Sequence, residues 1–216
     1  MARRQLKRLL GIAALTAAAL AFVAGFVDGD AYLRWHQFAA NMTGNTVLFG
    51  IASVSGDLRH ALVALAPIGA FIAGCAIAQA LLGSSRVIPL LVEIVCLCVA
   101  SFAGWHRWQL ALAALAMGIQ NTTVKTFDTV EANTSFVTGD YGRIAQASVR
   151  LLSGRGTRKD RDTLTIMLPL IVCYVLGAAC AAALVAAHIP HALLAVVPFL
   201  LVVTYSVRRR GTEAAI

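Results

Sequence analysis

Charge is what this sequence is short of. Asp, Glu, Lys and Arg make up 13% of the 216 residues, against roughly 25% in a soluble domain. That deficit excludes an ordinary water-soluble globular domain. Metal and disulfide patterns are missing as well. The five cysteines, Cys75, Cys96, Cys98, Cys173 and Cys180, all lie in apolar runs and show no Cys-x-x-Cys step. They read as small packing residues, with no disulfide framework and no zinc site. The five histidines, His36, His60, His106, His188 and His191, form no metal motif, and no Gly-x-Ser-x-Gly nucleophile turn is present. The chain is therefore expected to hold no metal or cofactor, to have no catalytic residues and not to be an enzyme.

What is present is apolar sequence, 59% of the chain. A spanning helix needs about 20 predominantly apolar residues. Segments 9–27, 61–82, 87–104, 108–124, 164–187 and 191–207 meet or approach that length. The first resembles a signal peptide but is followed by more membrane-like sequence, so it reads as a retained span. Two weaker segments, 41–55 and 134–152, carry polar residues that could not face lipid across the full bilayer thickness. The expected fold is all-α: a polytopic membrane protein of six transmembrane helices plus two short interrupted or re-entrant helices, in one membrane domain, residues 1–216.

Net charge is +8. The Lys and Arg residues lie between apolar runs and at the chain ends, which points to the lipid bilayer rather than to nucleic acid. With six spans and the N-terminus inside, 15 of the 18 fall on the cytoplasmic side, and only Arg34, Arg59 and Arg107 fall outside. Both termini are then cytoplasmic. The basic loop from Ser153 to Asp162 is expected to meet anionic headgroups.

The sequence repeats itself. Gly25-Phe26-Val27-Asp28 matches Gly118-Ile119-Gln120-Asn121, and Thr43-Gly44 matches Thr138-Gly139 about twenty residues later. Phe71-Ile72-Ala73-Gly74 matches Tyr174-Val175-Leu176-Gly177, and Ile88-Pro89 matches Ile189-Pro190. Four landmarks in one order divide the chain into halves of about 1–104 and 105–216. Three spans per half make the repeat inverted, as in many secondary transporters. Four crossings per half would make it parallel. Segment polarity favours the inverted 3+3 arrangement.

Gly25 to Asp28 with Asn41-Met42-Thr43-Gly44-Asn45-Thr46, and Gly118 to Asn121 with Phe136-Val137-Thr138-Gly139, resemble the YoaK family of bacterial membrane proteins. The likeness covers about residues 10 to 207. It implies an integral inner-membrane protein of a bacterium. It implies no substrate, reaction or site, because the family is one of unknown function.

The candidate site residues follow from chemistry. A polar residue followed by Gly and an apolar run marks a helix start. Asn41 or Thr43 is placed to cap the first short helix, and Thr134 or Thr138 the second. The leading N–H groups of a helix lack internal partners, and at membrane depth water reaches them only through a cavity. Such a start needs either a protein partner or a bound solute, and its partial positive charge favours an anion. Asn41, Thr43, Gly44 and Asn45 from one half, and Thr138, Gly139 and Asp140 from the other, are therefore candidates for a solute site. Simple capping in the headgroup zone is the competing reading. Asp28 and its counterpart Asn121 close matched spans beside Gln120. Asp28 belongs either to that site or to the outer water interface. Glu93 is the one carboxylate within an otherwise apolar span, a possible coupling residue unless it reaches water or Arg86 at the membrane edge. A transporter or channel for a small polar or anionic solute fits these features best. A non-transporting scaffold or partner protein, able to form a homo-oligomer, is the alternative, with a membrane-embedded enzyme further behind.

Overall fold

A computed structural model describes residues 2–102, 107–124, 126–127, 130–131 and 138–213. The helices are α1 Ala2–Trp35, α2 Met42–Val54, α3 Leu58–Leu82, α4 Val87–Phe102, α5 Arg107–Thr123, α6 Thr138–Leu152, α7 Arg158–Ala186 and α8 Val197–Glu213. A 3-10 turn, Ala192–Val196, leads into α8, and a two-residue antiparallel pair joins Thr126–Phe127 to Val130–Glu131. Among the described residues, four stretches are long and apolar enough to cross a membrane: Gly11–Trp35, Leu58–Leu82, Arg158–Ala186 and Ala192–Arg209. α4 and α5, with 16 and 17 residues, are each about 25 Å long at 1.5 Å per residue, somewhat less than a hydrocarbon core of about 30 Å.

The first apolar helix does not stop at Val27. α1 continues to Trp35, because Asp28 and Asp30 are buried within it and satisfied there. Asp30 accepts from Arg34 Nε one helical turn on, at 2.8 Å. Ile189-Pro190 also differs from its sequence counterpart. Pro89 lies inside α4, whereas Pro190 lies in the turn ahead of the 3-10 segment.

The most extensive helix contact is α1 on α7, followed by α3 on α5. Glycine makes both crossings possible. A Cβ on Gly25 would overlap the carbonyl oxygen of Tyr174, and one on Gly177 would overlap that of Phe22. In the other pair, a Cβ on Gly118 would overlap the carbonyl oxygen of Phe71, and one on Gly74 that of Leu115. These are the same repeat positions. Gly25 and Gly118 correspond, as do Gly74 and Gly177, Tyr174 and Phe71, Phe22 and Leu115. In each crossing, helix backbones meet where neither side has a side chain. Each pair joins one half of the chain to the other. α2 packs on α3 and α6 on α7, and α8 covers α1 and α4.

Candidate functional site

Asp28 lies at the centre of the α1–α7 crossing, one turn past Gly25. Its side chain is buried and bonded at both oxygens. Oδ1 accepts the backbone N–H groups of Ala39 at 2.9 Å, Ala40 at 2.6 Å and Asn41 at 3.4 Å. Oδ2 accepts the Tyr174 hydroxyl of α7 at 2.5 Å. The chain leaves α1 at Trp35 and reverses at His36, whose φ is +53°. It then runs back until residues 39–41 meet a carboxylate seven positions before the helix end. Asp28 is thus about 10 Å down α1 from Trp35. The α2 start is drawn to the same depth.

Two further ties hold that reversal. Phe38 stacks on Tyr32 of α1, with ring centroids 5.3 Å apart. Its backbone is clasped by Asn45, whose Oδ1 accepts from Phe38 N at 2.9 Å and whose Nδ2 donates to Phe38 O at 2.6 Å. Asn45 is fully buried. Only an amide offers both a donor and an acceptor in that geometry. Asn45→Asp, which removes the donor and adds a buried charge, is expected to destabilise the protein by about 2 kcal/mol. Loss of midpoint in a chemical-denaturation curve of the purified protein in mixed micelles measures it.

The helix starts behave differently from each other. Asn41 is the N-cap of α2, its side chain accepting from Gly44 N at 3.4 Å. Gly44 is required by the ring of Phe38, which a Cβ would meet at 2.7 Å. Thr43 is exposed, as are Thr138 and Gly139 at the start of α6. Thr134 lies outside the described residues. The buried polar residue of α6 is Asp140, 1% exposed, with Arg143 Nη1 at 3.9 Å. In the repeat register Asn45 corresponds to Asp140, and Asp28 to Asn121. Each half therefore carries one acid and one amide, in exchanged positions.

The remaining candidates lie apart from this centre. Gln120, fully buried on α5, donates to the Leu20 carbonyl of α1 at 3.1 Å. Asn121 is half-buried. Glu93 on α4 is fully buried, and neither carboxyl oxygen has a hydrogen-bond partner among the described residues. It therefore does not reach Arg86 or surface water within the chain. A cavity of about 700 Å3 opens between α2 and α3, but none of the candidate residues lines it. At its rim Asp57 caps α3, and the backbone N–H of His60 holds its carboxyl below the usual carboxylate range.

Tyr174 is the functional-site residue that sequence reasoning missed. It was visible only as the counterpart of Phe71, and nothing in the repeat pairs it with an acid 146 positions away.

Residues 16–206 match the family described as "Protein of unknown function (DUF1275)". The chain belongs to this family. The DUF1275 match is reinforced by UPF0700 transmembrane protein YoaK of Bacillus subtilis (strain 168), 31% identical over an aligned stretch of 179 residues that covers 74% of this chain and 78% of that protein. The family resemblance drawn from the Gly-Phe-Val-Asp and Thr-Gly runs is borne out, and this DUF1275 chain is a membrane protein. No solved structure matches it.

Proposed function

We propose that this DUF1275 protein is a bacterial inner-membrane carrier or channel for a small polar or anionic solute, built as an inverted repeat. The observation that carries the reading is the exchange of partners at the two glycine crossings. α1 of the first half lies on α7 of the second, and α5 of the second lies on α3 of the first, through corresponding residues. A pseudo-twofold axis between the halves accounts for that exchange. With three crossings per half the axis lies in the membrane plane, the arrangement that places a transport site near the midplane. Six spans require the short α4 and α5 to cross, with local thinning of the bilayer or flanking polar residues making up the difference. α2 and α6 then re-enter rather than cross. The distribution of Lys and Arg puts both termini in the cytoplasm.

Asp28 fills the α2 start itself, so the solute pathway is assigned to the polar groups on the α4–α5 side, Glu93 and Gln120, and to Asp140. Glu93→Gln keeps the shape and removes the acid. In proteoliposomes challenged with iso-osmotic small carboxylates, phosphate and sugars, the wild type is expected to admit at least one class. The Glu93→Gln variant should slow that flux tenfold or more without losing thermal stability. Flux equal to that of empty vesicles across the whole panel would reject transport. It would leave the scaffold reading, which the fully bonded state of Asp28 favours.

A further inference from the structure

α3 carries a buried proline in its interior, Pro67. Proline has no backbone N–H, so the carbonyl oxygen of Val63, four residues earlier, lacks the donor that an α-helix would give it. In a bilayer a neighbouring polar group has to replace that donor, because water is not at hand.

Gln37 is that group. It belongs to the return between α1 and α2 and is 6% exposed. With its amide oriented to satisfy both atoms, Nε2 donates to the Val63 carbonyl oxygen at 2.9 Å, and the amide oxygen accepts from Ala64 N at 3.2 Å. One side chain thus takes up the α3 backbone at the turn that Pro67 interrupts. The next residues of the return are held elsewhere. Phe38 is clasped by Asn45 of α2, and Ala39, Ala40 and Asn41 donate to Asp28 of α1. Residues 37–41 therefore tie α3, α2 and α1 together in one short run.

The same groups stand on the wall of the 700 Å3 cavity between α2 and α3, which Gln37, Val63, Ala64 and Pro67 all line. The part of α3 ahead of the proline, residues 58–66, is loosely packed. Leu58, Leu62 and Leu65 are exposed there. A helical limb with few buried contacts opens at low cost, so the bond at its base has a large share in fixing its position.

We propose that Pro67 is a hinge in α3 and Gln37 the latch that holds it. While the amide is bonded, residues 58–66 keep their angle and the cavity keeps its shape. When it lets go, that limb moves about Pro67 with α2 attached, and the cavity wall moves with it. The device stands whether or not a solute crosses. Its test is a double-variant cycle on the full chain in nanodiscs, read by hydrogen exchange and mass spectrometry. Gln37→Met keeps the side-chain length and removes the amide. It is expected to speed exchange over residues 61–66 by about tenfold, since a buried carbonyl loses its donor, and to leave residues 70–80 unchanged. Pro67→Ala returns an N–H to position 67, which makes the latch redundant. In that background Gln37→Met should change exchange by about twofold or less. Pro67→Gly supplies the same N–H and replaces Pro67→Ala if the alanine variant does not purify as a single species. Two results overturn the proposal. One is an effect of Gln37→Met less than about threefold larger with Pro67 than without it, including no effect in either background. The other is acceleration that spreads equally to residues 70–80, which would mean general loosening and no hinge.

Discussion

Replacing Asp28 with alanine is expected to lower stability by about 4 kcal/mol, on the reasoning that each buried donor left without an acceptor costs roughly 1–3 kcal/mol. Three backbone N–H groups and one tyrosine hydroxyl share this carboxylate, so the loss falls on several buried groups at once. The backbone donors have no alternative, because residues 39–41 lie ahead of α2 and outside any helical ladder. Asp28→Asn should be milder, about 2 kcal/mol, since its oxygen still accepts from the backbone while its NH2 presents a donor to the tyrosine oxygen. Tyr174→Phe removes one bond and should cost about 1 kcal/mol. Equilibrium unfolding in mixed micelles ranks the three. If Asp28→Ala melted like the wild type, the reversal after Trp35 would not depend on this carboxylate.

The second large effect belongs to the glycines. Gly25→Ala places a methyl group against the backbone of Tyr174, and Gly118→Ala does the same against Phe71. A backbone carbonyl cannot rotate away as a long side chain can, so the helices must separate. Each substitution should cost about 3 kcal/mol, the upper part of the range for overpacking a close contact. Because Gly25 and Gly177 serve one crossing, the double variant Gly25→Ala/Gly177→Ala should cost less than the sum of its parts. Gly25→Ala/Gly118→Ala, one from each crossing, should be nearly additive. Thermal unfolding of the three single and two double variants decides it, and equal additivity in both pairs would mean that the crossings do not act as units.

These two sets of residues show what the sequence could and could not disclose. The glycines were legible as landmarks of a repeat, since periodic small residues recur in order. Their mating was not, because a repeat gives the correspondence of Gly25 with Gly118 but not the helix that each faces. Asp28 was legible as an acid at the edge of an apolar run. Its burial was not, since sequence hydropathy scores a carboxylate as exposed, and only distant backbone and a distant tyrosine make it tolerable inside. The extension of α1 to Trp35 was hidden for the same reason: Asp28, Asp30 and Arg34 resemble a membrane edge until their partners are known. Thr43 and Thr138 drew attention as capping types, yet the buried position is two residues later, at Asn45 and Asp140. The threonines were conspicuous by type, whereas the inward face of a short helix depends on how it docks.

The exchange of partners between the halves also bears on how the molecule is made. α1 emerges from the ribosome well before α7, the helix against which Gly25 and Asp28 are shaped. At 5–20 residues per second, the interval between Trp35 and Arg158 lasts on the order of ten seconds. Through that interval the nascent first half can cap α2 with Asp28 but lacks Tyr174, and the small-residue groove along α1 faces lipid or the insertion machinery. The α3–α5 crossing can close once α5 has been made, but the α1–α7 crossing has to wait for nearly the whole chain. Conversely, two separately translated halves contain every surface needed to find each other in the bilayer.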